Sequence, residues 1–377
     1  MPLFGPNIKK MKEKGKIDGI IKILEHKDLN IRIEAVKALA DLNHTSGLIT
    51  ALKNDNPEVR VEAILRLKVI DETEAREAVF DTLMIEQNES VWQQAYSVFS
   101  RSLDELNWGK EEVKVWNSLA TEMLMKKRYK NALLCFERVI AIDPDKETIG
   151  SIGAELLDYQ LYDEALEYFD KVLEIDRHEA RAWGGKGNAL FNLGKSEEAI
   201  TCCKKALEIN PGFKPVIDTL GALYYKTGDY TSMASLSEKI LESSPEDIKA
   251  RIMLSEALIL SEKFDEGESE AQKALEFAYS KESVNPEELG MIHQQLGIIY
   301  AIQGLVDSAM KEFMNAIEAN SKDTWSFKLL SAYNILNILG SSLDGSPLEI
   351  RSRLLNLAEK RDERVSIQDA LELMGYE

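Results

Sequence analysis

Small side chains recur along this chain at a nearly constant spacing, and this repeat constrains the fold more than any other feature. They are Ala120, Gly153, Gly187, Gly221, Ser255 and Gly297, separated by 33, 34, 34, 34 and 42 residues. A constant period of this length indicates a stacked supersecondary unit, because one copy is too small to bury its own apolar face. The sequence therefore predicts an all-α solenoid, a right-handed superhelix of helical hairpins whose function depends on a long surface.

Each period has the pattern of two helices joined by a polar turn. In the first period Trp116, Leu119 and Met123 fall on one face of a helix. Phe136 marks the inner face of a second helix, and Pro144 ends that helix because proline cannot donate a backbone hydrogen bond. The repeated unit is therefore predicted to be a helical hairpin.

The same offsets carry similar residues in later periods. The third period has Trp183, Gly187, Leu190, Ala199, Cys203, Ala206 and Pro211, and the sixth has Leu296, Gly297, Tyr300, Ala309, Phe313 and Ala316. This pattern resembles the tetratricopeptide repeat, in which Trp, Leu-Gly, Tyr, Ala, Phe, Ala and Pro recur over a 34-residue unit. The resemblance predicts six units within 108–323, at about 113–145, 146–179, 180–213, 214–247, 248–289 and 290–323.

Units four and five depart from this pattern. Met233 and Gly267 replace the alanine of the second helix, and Ser237 and Ala271 replace its phenylalanine. We expect looser packing in both units, since the replacements change the volume at the helix crossing. About eight additional residues, 280–288, are expected to lengthen the turn before unit six.

Residues 1–107 carry a second repeat. Asp28, Asn56 and Asn88 each precede apolar residues at helical spacing, and each is able to cap a helix. An arginine follows the first two caps, whereas Trp92 follows the third. The pattern resembles HEAT repeats of the short type first associated with phycobilin lyases. Trp92 is either part of a junction core near Asn107 and Trp108 or an exposed anchor for a partner, and residues 324–377 are expected to cap the solenoid with further helices.

The resemblance to tetratricopeptide repeats implies a concave groove, lined by the first helices, that binds an extended or helical peptide of another protein. The residues at groove-facing offsets are Asn117, Thr121, Arg181, Asn188, Asn192, Asp218, Tyr225, Lys226, Lys249, Glu256 and Gln294. Asparagine can both donate to and accept from a peptide backbone. No three successive units carry the lysine and asparagine set with which cochaperones of this family hold an acidic tail, so the resemblance does not favour that ligand.

The remaining residues do not favour catalysis. His26, His44, His178 and His293 lie in four different repeats without metal-ligand spacing. The run 184–187 has the glycines and lysine of a phosphate loop, but it is predicted to lie inside a helix. Cys203 stands where other units carry phenylalanine, which indicates a packing role. We therefore expect no enzyme activity, no cofactor, no metal and no small-molecule substrate.

Charge and cysteine content suggest the environment and the alternatives. The net charge is -19, and residues 1–110 contribute 16 basic and 18 acidic side chains to it, so the acidity lies mainly in the rest of the chain. Seven lysines within residues 1–27 leave attachment to nucleic acid or a membrane open as an alternative, and the HEAT-like copies leave a lyase-type activity open. Three cysteines without an even framework favour the cytoplasm. The oligomeric state is not determined by these patterns.

Overall fold

A computed structural model describes residues 6–70, 72–106, 110–281 and 285–319, which contain 19 α-helices and no β-strand. The predicted all-helical class is therefore confirmed. The chain divides into two units, Met1–Tyr159 and Gln160–Glu377. Within each unit, most consecutive helices pack against each other through buried apolar side chains.

The first unit contains the HEAT-like helices and the first tetratricopeptide hairpin. Its helices are α1 (Ile8–Glu13), α2 (Ile17–Ile23), α3 (Leu29–Asp41), α4 (Thr45–Ala51), α5 (Pro57–Leu67), α6 (Thr73–Ile85), α7 (Glu89–Leu106), α8 (Lys110–Met125), α9 (Tyr129–Ile142) and α10 (Lys146–Asp158). The division of the chain falls after α10, so the first hairpin groups with the HEAT-like helices.

The second unit begins with the second helix of repeat unit two and contains the four later hairpins. Its helices are α11 (Tyr162–Ile175), α12 (Ala180–Asn192), α13 (Ser196–Ile209), α14 (Lys214–Thr227), α15 (Tyr230–Ser243), α16 (Ile248–Leu260), α17 (Phe264–Ser280), α18 (Pro286–Ile302) and α19 (Val306–Ala319). The junction expected at Asn107 and Trp108 and the capping helices expected in residues 324–377 lie outside the described residues.

The three predicted helix caps of the HEAT-like copies are present. Asp28 accepts a hydrogen bond from the backbone N–H of Asn30 at 2.9 Å, and Asn56 accepts one from Glu58 at 2.8 Å. Asn88 accepts one from the backbone N–H of Val91 at 3.2 Å. Each cap satisfies a donor that the first turn of a helix would otherwise leave unpaired.

The two HEAT-like arginines join each copy to the turn that precedes the next. Arg32 donates to Asn54 at 3.0 Å and also pairs with Asp55. Arg60 donates to both carboxylate oxygens of Glu86, at 2.7 and 2.9 Å. Such a bidentate pair fixes orientation as well as distance, so it sets how consecutive copies stack.

An aromatic cluster takes over this joining role at the third copy. Trp92 is fully buried, its indole N–H donates to the carbonyl of Leu83 at 3.1 Å, and its ring stacks on Tyr96 at 5.3 Å. Tyr96 and Phe99 both contact Trp116 of α8, at 5.3 and 5.4 Å between ring centroids. Trp92 therefore belongs to the core between the HEAT-like helices and the first hairpin, and an exposed anchor role for it is wrong.

In the second unit the glycines of α12 allow large side chains to approach from three directions. A Cβ atom at Gly184 would lie within 3.0 Å of Val216, and one at Gly185 would lie within 3.0 Å of the Phe169 ring. A Cβ atom at Gly187 would lie 2.5 Å from the sulfur of Cys203. Residues 184–187 are thus a helical packing surface, as the sequence predicts, and their glycines accommodate neighbouring side chains.

Units four and five differ in how closely their helices cross. Along α15 only Met233 and Ser237 are buried, which agrees with the looser packing expected for unit four. Unit five does not follow this expectation. Ser255 donates to the carbonyl of Gly267 at 2.8 Å, and a Cβ atom at Gly267 would lie 3.3 Å from the Ser255 carbonyl oxygen. The small residues of unit five let its two backbones approach closely.

Most of the additional length before unit six is helical. The helices α17 and α18 each contain 17 residues, whereas α14 and α15 contain 14. The expected turn over 280–288 is therefore wrong in its location, because most of the extra length extends the two flanking helices. Asn285 caps α18 as predicted, accepting from the backbone N–H of Glu287 at 3.0 Å.

Replacement of Gly187 by alanine is predicted to destabilise the second unit by ~1 to 3 kcal/mol, because the new methyl group overlaps the Cys203 sulfur. Urea unfolding monitored by circular dichroism measures this effect. Gly212→Ala is the matched control, since the nearest atom to a Cβ there lies at 4.0 Å. Combining Gly187→Ala with Cys203→Ala should recover part of the loss, and a fully additive double variant would contradict the contact.

The Arg60–Glu86 pair predicts a pH-dependent stability of the first unit. Burial alone would raise the pKa of Glu86, but hydrogen bonds from Arg60 and from the backbone N–H of Asn88 outweigh it and lower that pKa. The pair therefore stabilises the fold above the ordinary glutamate pKa of about 4.3, and this contribution is lost as the pH falls through the lowered folded value.

The matching variant is Glu86→Gln. It should cost ~1 to 3 kcal/mol at pH 7 and much less in strong acid, because the wild-type carboxylate is protonated there. Urea titrations of both proteins between pH 7 and pH 2 test this. An equal loss at every pH would show that the charge of Glu86 has no part in the stabilisation. Glu58→Gln, which leaves the Arg60 pair intact, serves as the control.

Candidate partner-binding cleft

The second unit contains an open cleft of about 2090 Å³, bounded by α13, α14, α15, α16 and the start of α18. It lies beside unit four, where α15 buries few side chains. From α14 it receives Ile217 and also Asp218, Ala222 and Tyr225, which share one face of the helix because they are spaced four and three residues apart.

The floor of the cleft is apolar and includes a methionine that lies against a glycine. The apolar lining residues include Phe191, Ile217, Leu236, Ile252, Met253 and Met291. A Cβ atom at Gly221 would lie 2.6 Å from the sulfur of Met253, so glycine at this position lets Met253 of α16 lie directly on α14. Methionine is flexible and polarizable, which suits a surface that adapts to a bound group.

The cleft brings together five of the predicted groove residues, namely Asp218, Tyr225, Lys226, Lys249 and Glu256. Tyr225 is 51 % exposed, so about half of a large aromatic residue is open to a ligand at the cleft. The ammonium group of Lys226 lies 5.4 Å from the ring centroid of Phe191, so this lysine covers part of the aromatic surface.

The charges around the cleft are mixed and unpaired. Six lysines line it, Lys204, Lys214, Lys226, Lys239, Lys249 and Lys281, and so do seven acids, Glu208, Asp218, Glu246, Asp247, Glu256, Glu287 and Glu288. Among the described residues none of these side chains forms an ion pair, in contrast to Arg251 and Glu270 close by. Asp247 caps α16, and Lys204 and Lys226 lie over aromatic rings, whereas the other charged side chains are available to a ligand.

Glu256 differs from the other acids of the cleft because it is partly buried. It lies on α16, one turn after Met253, and has no hydrogen-bond or ion-pair partner among the described residues. Burial raises the pKa of its carboxyl, and no neighbouring charge offsets that effect. Its carboxylate therefore lies in a partly desolvated place without a donor from the described residues, where a nearby cation would favour the charged form.

The groove residues predicted on α12 lie outside the cleft lining. Arg181, Asn188 and Asn192 are exposed on α12. The side-chain amide of Asn192 donates to the backbone carbonyl of Asn188 at 2.9 Å and to its side-chain oxygen at 2.7 Å. The two asparagines thus form one polar patch on the exposed face of the helix.

The other three predicted groove residues are not brought to this cleft. Asn117 and Thr121 belong to the first unit, where the Thr121 hydroxyl donates to Glu155 at 2.7 Å. Gln294 is only 7 % exposed on α18, so its prediction as a groove residue is wrong. Unit six is lengthened relative to the others, which makes the offset that was carried over from the 34-residue period unreliable there.

Sequence reasoning missed the contribution of α13 and α15 to the cleft. Lys204, Ser235 and Lys239 line it from these second helices, whereas the family resemblance places the groove along first helices. The one available signal was Ser237, a small residue where other units carry phenylalanine. Its consequence for the neighbouring surface depends on packing, which the repeat pattern does not describe.

Other candidate chemistry of the chain can be located in the same way. The lysines at 9, 10, 14, 16, 22 and 27 are exposed on or beside α1 and α2, and Lys12 pairs with Asp41. Cys203 is fully buried and burial raises the pKa of its thiol to about 12, in line with a packing role. Within the described residues no group of three or more potential metal ligands occurs, and no helix is long and apolar enough to cross a membrane.

Comparison with protein families identifies both repeat types. Residues 180–213 match the family model for the tetratricopeptide repeat, and residues 17–100 match the model for HEAT repeats. The first match coincides with unit three, and the second covers the three HEAT-like copies. Both resemblances proposed from the sequence are therefore confirmed.

Known proteins are related in sequence to about half of this chain. The chain is 25 % identical over 210 residues to anaphase-promoting complex subunit 3 of Schizosaccharomyces pombe, covering 55 % of this chain and 30 % of the relative. It is 30 % identical over 221 residues to a TPR repeat-containing protein of Methanocaldococcus jannaschii, covering 55 % of this chain and 37 % of the relative. The chain thus spans about a third of the length of these relatives.

Solved structures with a backbone similar to part of this chain include those of MamA and YrrB. MamA from Desulfovibrio magneticus RS-1 matches with a TM-score of 0.41 and 23 % identity, over 48 % of this chain and 97 % of MamA. YrrB, described as a TPR protein with an unusual peptide-binding site, matches with a TM-score of 0.40 and 21 % identity, over 50 % of this chain and 93 % of YrrB.

Proposed function

We propose that this chain, in which HEAT repeats precede tetratricopeptide repeats, is a protein-interaction scaffold that binds a peptide or helix of a partner protein in the cleft beside α14 and α16. The observation that carries the proposal is the exposed ring of Tyr225 above an apolar floor, surrounded by unpaired charges. Aromatic residues of this kind commonly supply most of the binding energy in an interface.

The dimensions of the cleft support a polypeptide ligand. Its volume of about 2090 Å³ is well above the ~300 to 1,000 Å³ of typical small-molecule pockets. Apolar lining residues and charged groups alternate over its surface, as suits a peptide with side chains of both kinds. The polar patch at Asn188 and Asn192 offers additional donors and acceptors to a longer segment.

A relative and the cysteines of this chain support the proposed partner class and the proposed compartment. The Schizosaccharomyces pombe relative is, by its name, a subunit of a multiprotein complex. Cys135, Cys202 and Cys203 are free thiols in this chain, which suits a reducing compartment, and we propose the cytoplasm. Binding to a partner, and no chemical reaction, is the activity proposed.

Replacing Tyr225 by alanine is predicted to weaken partner binding at least about tenfold, which corresponds to ~1.4 kcal/mol. Partners are first identified by affinity purification from the source cells and mass spectrometry, and their segments are then tested as labelled peptides by fluorescence anisotropy. Tyr279→Ala is the matched control, because Tyr279 is a 61 % exposed tyrosine outside the cleft lining.

The Asn188→Ala variant tests whether the bound segment extends onto α12 or stays within the cleft. A loss with this variant would extend the bound segment onto α12, and an unchanged affinity would confine it to the cleft. The proposal is overturned if no partner peptide loses affinity with Tyr225→Ala, or if Tyr279→Ala weakens binding equally.

A further inference from the structure

We infer that the partner segment carries an arginine or lysine whose cation pairs with Glu256 on the floor of the cleft. This inference rests on the proposed function and adds the chemical class of the ligand. The pairing would supply the donor that Glu256 lacks among the described residues. A cationic side chain between apolar neighbours is therefore the chemistry that this part of the cleft fits.

Glu256 lines the cleft and is only partly buried, so a ligand can reach its carboxyl group. It lines the cleft on α16, whereas Lys249 lies near the start of the same helix, seven residues earlier, or ~10 Å along the helix axis. Lys214 is the first residue of α14, and Lys226 is near its end. Lys204 and Lys239 line the cleft from α13 and α15, and among the described residues none of these lysines forms an ion pair with Glu256.

The direction of the pKa shift of Glu256 agrees with the lack of a cationic partner among the described residues. Burial raises the pKa of Glu256, and no charged neighbour contributes to the shift. A lysine of this chain within pairing distance would lower the pKa of Glu256 and so act against burial. Arg251 does not act in this way, since its guanidinium group pairs with Glu270. The carboxyl group therefore remains without a counter-charge in the free protein.

Two further groups favour arginine over lysine in the ligand. Asp218 lines the cleft from α14 and offers a second carboxylate, and the exposed ring of Tyr225 offers a face for a cation. A guanidinium group can donate to a carboxylate in a bidentate manner and stack on an aromatic ring, whereas an ammonium group cannot do both. Met253 can move to accommodate the aliphatic part of such a side chain.

The net charge of the chain also favours a basic segment over an acidic one. With a net charge of -19, the protein attracts cationic segments and repels anionic ones over the range of a Debye length, ~10 Å at 0.1 M salt. An acidic segment would also place its carboxylates beside Asp218 and Glu256, which line the same cleft. We therefore commit to a basic segment as the occupant.

The first test is a selection of random dodecapeptides displayed on phage against the full chain, with the Tyr225→Ala variant used for counter-selection. The expected result is a set of Tyr225-dependent peptides enriched in arginine, with apolar residues beside it. If the Tyr225-dependent peptides lack basic residues, the inference is overturned while the proposed function stands. If no Tyr225-dependent peptide is obtained, the proposed function fails and the inference fails with it.

The second test measures the pairing itself with one selected peptide. Replacing its arginine by neutral citrulline and replacing Glu256→Gln should each weaken binding about tenfold or more, and the combination should weaken it little further. Glu287→Gln is the control, because Glu287 is an exposed acid at the edge of the cleft, and it should change affinity less than twofold. Additive effects of citrulline and Glu256→Gln would overturn the inference.

A charge exchange and a stability measurement complete the design. Glu256→Lys should abolish binding of the arginine peptide and restore binding of the same peptide with glutamate in place of arginine. Without peptide, Glu256→Gln should leave the urea midpoint unchanged or raise it, since it removes a partly buried charge that has no partner. A lowered midpoint would show that Glu256 has a structural role in the free protein and would overturn its assignment to the ligand.

Discussion

Close approach of paired helices at small residues is the constraint on which the second unit depends. At Gly187 the space of a missing Cβ atom is taken by the sulfur of Cys203, and at Gly185 it is taken by the ring of Phe169. Because interiors are packed nearly as tightly as organic crystals, a large neighbour at one position requires a small residue at the other. The regular spacing of small residues in the sequence reflects this pairing of a small residue with a large neighbour.

The candidate cleft arises where the same constraint is relaxed. In unit four Ser237 stands at the offset that holds Phe136 or Phe169 in other units, and α15 buries only that serine and Met233. The helix therefore contributes less to the core, and the surface between it and its neighbours stays open. The cleft with Tyr225 lies beside this local departure, although Met233 still belongs to the apolar core that α12 to α16 share.

In the first unit, hydrogen-bonded polar pairs hold neighbouring repeats together, whereas in the second unit glycines let neighbouring helices pack closely. Arg32 and Arg60 each reach from one HEAT-like copy to the turn before the next. At the third copy, where Trp92 replaces the arginine, a buried aromatic cluster continues the joining into the first hairpin. Directional hydrogen bonds fix the register between copies, and aromatic rings add buried area where the repeat type changes.

The sequence by itself determined the helical class, both repeat types, the caps at Asp28, Asn56 and Asn285, and the helical state of residues 184–187, because periodicity and capping depend on residues that are near one another along the chain. Tertiary structure alone decided the rest. It buried Gln294 and brought α13 and α15 into the cleft, because exposure and the volume between helices depend on neighbours from other repeats, which a one-dimensional period does not contain.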